Sequence, residues 1–167
     1  TDGRTLLLNS TAAVAGDSAT VGPVSSTLIT VEGSGTGGNE GDNENVAYAW
    51  HSVQGYSKIG TYKGNANADG TFVYTGFRPA FVLLKNSTGG NGWEMRDNKR
   101  PGYNLSSGTL APSSSDAETT GEGIDIFSNG FKLRASGNGQ NGANTYMYMA
   151  FAEAPFVNSN GVPCNAR

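Results

Sequence analysis

Charge is scarce in this chain. Only 15% of its 167 residues are Asp, Glu, Lys or Arg, where an average domain carries roughly 25%. The 11 basic and 14 acidic side chains leave a formal charge of −3. No cationic cluster of the kind that phosphate backbones require is present, so nucleic acid is not an expected partner. Cys164 is the single cysteine, which excludes an intramolecular disulfide and a cysteine zinc site. The longest apolar run, Ala80-Phe81-Val82-Leu83-Leu84, is far short of the ~20 residues that cross a bilayer. Membrane insertion is therefore not expected. No signal-peptide pattern opens the chain, so the reading is a soluble protein with any export signal outside it. No charged amphipathic stretch of helical length occurs either, which excludes a helical protein.

What the chain has instead is turn chemistry. Gly, Asn, Ser and Thr make up 73 of the 167 residues. Between these polar clusters, apolar residues alternate at period two over residues 5–8, 27–31, 46–50, 71–74, 80–84, 92–95, 124–127, 131–133 and 146–151. About ten short strands do not lie as one open sheet on so small an apolar content. The expected fold is all-β: an antiparallel β-sandwich of jelly-roll or concanavalin-lectin-like type over residues 1–156, followed by an irregular tail over residues 157–167. Residues 6–50 align with 110–151 as an internal repeat, with Leu6 on Leu110, Ile29 on Leu133 and Trp50 on Phe151. The second copy is preceded by strands and the first is not, so the chain is expected to be the C-terminal piece of a longer polypeptide.

Chemistry-bearing motifs are few. Gly33-Ser34-Gly35-Thr36-Gly37-Gly38 and Gly137-Asn138-Gly139-Gln140-Asn141-Gly142 match a dinucleotide fingerprint in letters, but each is followed by strand pattern rather than helix. They read as hairpin loops whose glycines serve positive φ. The acidic loop with Glu40, Asp42 and Glu44 reads as a solvated tip, with a Ca²⁺ site as the alternative; no other cofactor is expected. A retaining glycosidase on strands needs two carboxylates about 5 Å apart. Glu32, Glu94, Asp97, Asp125 and Glu153 share no strand face, and Asp116 with Glu118 sit in a loop, so hydrolysis is not expected. His51, the single histidine, reads as packed and hydrogen-bonded. Tyr56, Tyr62 and Tyr103 lie in Gly-, Ser-, Lys- and Asn-rich segments and are the candidate ligand-binding aromatics, able to stack on sugars.

Residues 51–65, then Asp69-Gly70 and Phe72-Val73-Tyr74-Thr75-Gly76-Phe77-Arg78-Pro79-Ala80-Phe81-Val82, resemble a family of uncharacterised domains from marine tailed-phage virion proteins. Later blocks match as well: Ser128-Asn129-Gly130-Phe131-Lys132-Leu133-Arg134, residues 146–156, and the closing Asn165-Ala166-Arg167. The departures are Ala49, where the family carries a cysteine before the tryptophan, and the insert around Gly161-Val162-Pro163-Cys164. The resemblance implies a lectin-like module on the virion exterior, at the tail or capsid surface, and supplies no catalytic residue. It implies a non-enzymatic C-terminal part of a tail fibre or spike that attaches to a host-surface glycan or protein. The partners that follow are other virion proteins and further copies of itself, a homotrimer first. The alternative is a capsid-decoration or self-assembling subunit completed by a strand from its neighbour.

Overall fold

The computed structural model describes residues 6–14, 21–31, 44, 46–100 and 104–155. Among them there is no helix, and nine strands form antiparallel sheets: β1 Val21–Val24, β2 Ile29–Val31, β3 Ser57–Lys63, β4 Phe72–Tyr74, β5 Pro79–Asn86, β6 Trp93–Asp97, β7 Ile124–Phe127, β8 Gly130–Leu133 and β9 Thr145–Ala152. Four of them form one sheet in the order β3-β9-β5-β6, three form a second in the order β4-β8-β7, and β1 and β2 pair by themselves.

Alternation along the strands explains the core. In β9, Tyr146, Tyr148 and Ala150 turn to one face and are buried, with Met147 and Met149 on the other. Register places Ala150 beside Val82 and Tyr148 beside Leu84 on β5, and Tyr62 of β3 beside Tyr146. From the three-stranded sheet, Val73, Ile124, Ile126, Phe131 and Leu133 join the same apolar cluster, and Phe77 enters it from the turn before β5. The Phe131 ring meets Tyr148 edge-on at 5.7 Å and Tyr62 at 6.4 Å. Two sheets thus share one core. Each fully buried side chain of this size contributes roughly 1.5–3 kcal/mol.

The polar loop ends are joined by Asn141, which is fully buried. Its amide nitrogen lies 2.7–2.8 Å from Asn65 Oδ1, the Asn67 carbonyl and the Ala135 carbonyl, three acceptors that share its two hydrogens. Its side-chain oxygen accepts from the Asn65 backbone N–H. With the backbone bonds from the Gly64 N–H to the Asn144 carbonyl and from the Ala66 N–H to the Asn141 carbonyl, this side chain holds the β3–β4 loop against the β8–β9 loop.

Several expectations are corrected. Residues 6–8 form a strap rather than a strand: the Leu7 carbonyl accepts from the Trp93 indole N–H at 2.8 Å, and Lys85 Nζ reaches the Thr11 carbonyl at 3.4 Å. Residues 46–50 form no strand, while their repeat counterparts lie in β9. Strand β3 was hidden by Gly60 and two lysines. Gly60 is explained by its neighbour, because a Cβ there would stand 3.1 Å from the Tyr148 ring. The segment 137–142 is not a hairpin loop: it joins β8 of one sheet to β9 of the other. Its glycines do not serve positive φ, which among the described glycines belongs to Gly55 and Gly76.

Candidate functional site

Two places concentrate side chains that no packing role absorbs. The first is the approach to β3. Val53, Gly55 and Tyr56 form a turn in which the Val53 carbonyl accepts from the N–H groups of Tyr56 and Ser57, and Gly55 supplies the φ of +74°. Ser57 Oγ donates to the His51 carbonyl at 2.8 Å. Ser52 Oγ accepts from the Ile59 N–H and donates to the Ile59 carbonyl. These contacts fix residues 51–53 along the outer edge of β3. Immediately before them Tyr48 and Trp50, two residues apart on an extended stretch, stack with ring centroids 6.0 Å apart and planes 25° from parallel. Tyr48 is 76% exposed and Trp50 57%. Tyr56, 47% exposed, stands edge-on to Phe151 at 6.2 Å.

The second place is polar. A pocket of about 160 Å³ is lined by Glu94, Arg96, Thr109, Thr119, Thr120, Gly121 and Glu122. Strand parity brings Glu94 and Arg96 there, because they pair with Leu84 and Val82 and so turn toward the inner side at the β6 edge. Arg96 is 1% exposed. Its Nη2 donates to Glu94 Oε2 at 2.8 Å and its Nη1 to the Ser106 carbonyl at 3.1 Å, while its Nε has no partner. Glu122 comes from the loop ahead of β7. Backbone bridges Thr109 to Thr119 and Ser106 to Ile124 tie that wall to residues 106–110, and the Met95 to Leu110 bridge joins these to the β6 edge.

The candidate residues fare differently. Tyr56 is exposed as expected. Tyr62 is corrected: it is only 8% exposed because its parity along β3 turns it inward. It stacks on Tyr146 at 5.1 Å and donates its hydroxyl to the Gln140 carbonyl at 2.6 Å. Burial, then the neighbouring Tyr146 and Glu94, push its pKa well above the ordinary tyrosine value, against the opposing Arg96. Tyr103 lies outside the described residues, as do Glu40 and Asp42; Glu44 is exposed. No cluster of three potential metal ligands forms among the described residues. His51 is corrected too: it is exposed, and its Nδ1 lies 3.1 Å from the Ser52 carbonyl oxygen.

Sequence reasoning missed two things here. Tyr48 and Trp50 fall in the 46–50 alternation that reads as a strand, and the structure leaves both exposed outside any sheet. Glu94 and Glu122 do come together, although no strand carries both; their oxygens lie 2.5 and 3.6 Å from where a Cβ of Gly139 would stand. Asp116 and Glu118 stay outside the pocket on an exposed loop, Asp116 accepting from Ser114 Oγ and Glu118 paired with Arg100.

The family model for Domain of unknown function (DUF7483) matches residues 1–155, and the chain belongs to that family. No curated protein and no solved structure matches it.

Proposed function

We propose that this chain is a non-enzymatic module on the exterior of a phage virion, the C-terminal part of a tail fibre or spike, that attaches to a host-surface glycan. The stacked, solvent-facing Tyr48–Trp50 pair carries this reading. An aromatic face is apolar with a negative quadrupole, which suits the C–H face of a sugar ring, and the low charge of the chain suits a neutral ligand. The blocks shared with marine tailed-phage virion domains support the virion assignment. Two antiparallel sheets around one core support a β-sandwich of jelly-roll or concanavalin-lectin-like type. A homotrimer would multiply a weak single-site affinity. Of the two pocket carboxylates, Glu94 is engaged by Arg96 in an ion pair, which favours a binding role over proton trading. The experiment is a panel of immobilised envelope polysaccharides from marine bacteria. At least one should retain the wild-type chain, and Trp50→Ala should not be retained on it; no retention by any member of the panel would contradict the reading.

A second reading has its own observation. Val46, Tyr48 and Trp50 alternate as a strand does, yet residues 46–50 join no ladder and all three side chains are exposed. We infer from this the alternative of a self-assembling or capsid-decorating subunit completed by strand pairing with a neighbour. Light scattering across a concentration series separates the two: a fixed trimer mass favours the fibre module, and a mass that grows with concentration favours strand-completed assembly.

A further inference from the structure

We propose that the pocket between β6 and the approach to β7 is a second binding site, independent of the Tyr48–Trp50 face, for one ring of a neutral polyhydroxylated ligand, a sugar.

The site is built rather than incidental. Arg96 forms its floor from a buried position, with two of its nitrogens committed, one to the Ser106 carbonyl and one to Glu94 Oε2. That ion pair orients Glu94 so that its other oxygen, Oε1, points toward Gly139. Arg96 Nε is buried without a partner, so the guanidinium that lines this pocket keeps one donor unmet by protein atoms. Glycine at two positions makes room for the acids: a Cβ on Gly137 would lie 2.0 Å from Glu122 Oε1, and one on Gly139 would lie 2.5 Å from Glu94 Oε1. These glycines are therefore tied to the carboxylates and not to a phosphate.

The lining selects the ligand. Glu94 and Glu122 accept hydrogen bonds, and the hydroxyls of Thr109, Thr119 and Thr120 both donate and accept. Sugar hydroxyls, each a donor and an acceptor, match that mixture. Arg96 neutralises Glu94, and the Glu122 charge remains, so phosphate, sulfate and uronate are repelled. A volume of about 160 Å³ falls below the ~300 Å³ at which drug-sized pockets begin. It admits a single ring, such as the end of a longer glycan.

Saturation-transfer NMR on the full chain tests this, with D-galactose, D-mannose and N-acetyl-D-glucosamine as neutral probes and D-glucuronate as the anionic one. The expected result is transfer to at least one neutral sugar and none to glucuronate. Glu122→Ala, an exposed change that leaves the core intact, should weaken that binding by about tenfold, the value of one charge-assisted hydrogen bond. Lys58→Ala, an exposed change on β3 outside the pocket, should leave it unchanged. Absence of transfer to every neutral sugar overturns the proposal, as does equal transfer in Glu122→Ala. Transfer that survives Glu122→Ala and disappears in Trp50→Ala also overturns it, while leaving glycan attachment at the aromatic face standing.

Discussion

The side-chain amide of Asn141 donates to the side-chain oxygen of Asn65 at 2.8 Å, across 76 residues of sequence. Three acceptors depend on that one buried nitrogen. Asn141→Leu should cost about 2–4 kcal/mol in denaturant unfolding, because the buried Ala135 carbonyl loses its donor and the ties to Asn65 and Asn67 go with it. Its neighbour supplies the control. Gln140 is equally buried, but its Oε1 has no partner and its Nε2 reaches only the Gly123 carbonyl at 3.5 Å. Gln140→Met should stay within about 1 kcal/mol of the parent. Equal losses in the two variants would refute the role given to Asn141.

Alkaline pH should unfold this protein through its tyrosines. Burial raises the pKa of Tyr62, Tyr146 and Tyr148 above the ordinary value of 10.0. Above that value the unfolded chain releases phenolic protons that the folded chain retains. The stabilisation is therefore complete below pH 10 and is lost as pH rises toward the folded-state values. Denaturant midpoints measured from about pH 8 to 11 should fall across the upper part of that range. Tyr148→Phe should fall less steeply than the parent. A midpoint that is flat above pH 10 would contradict the burial argument.

Glycine substitutions should divide by what a Cβ meets. At Gly64 it would lie 2.1 Å from the Gly142 carbonyl oxygen and 2.7–2.8 Å from Asn141 backbone atoms. The backbone must move, so Gly64→Ala should cost about 3 kcal/mol. At Gly121 nothing lies within 4 Å, and Gly121→Ala should fall within about 0.5 kcal/mol of the parent. Thermal melting of the two variants side by side checks the contrast; matching shifts would refute it.

Strands β4 to β9 were legible because their own residues carry the pattern, as in Ile124-Asp125-Ile126-Phe127 or the tyrosines of β9. Strand β3 was not, because its central glycine answers to Tyr148, which lies in a distant part of the sequence. Tyr62 and Tyr56 have the same parity, and what separates them is place: Tyr62 lies within β3 against the core, and Tyr56 in the turn ahead of the strand, on the surface. Residues 46–50 show the reverse error: their alternation reads as a core strand, and they face solvent. Glu94 and Glu122 meet because the Met95–Leu110 bridge holds residues 106–110 on the β6 edge while the Ser106–Ile124 and Thr109–Thr119 bridges tie the wall before β7 to them, a relation that no local window contains.

The glycan-attachment account rests on Trp50, and the molecule offers a direct probe of it. Of its two tryptophans, Trp50 is exposed and Trp93 is buried with its indole bonded to the Leu7 carbonyl. Acrylamide quenching of the native protein therefore reports chiefly on Trp50. With a polysaccharide that retains the chain added to saturation, the account predicts that this quenching is suppressed and the emission shifts to the blue. Quenching that is the same with and without the bound polysaccharide would contradict it.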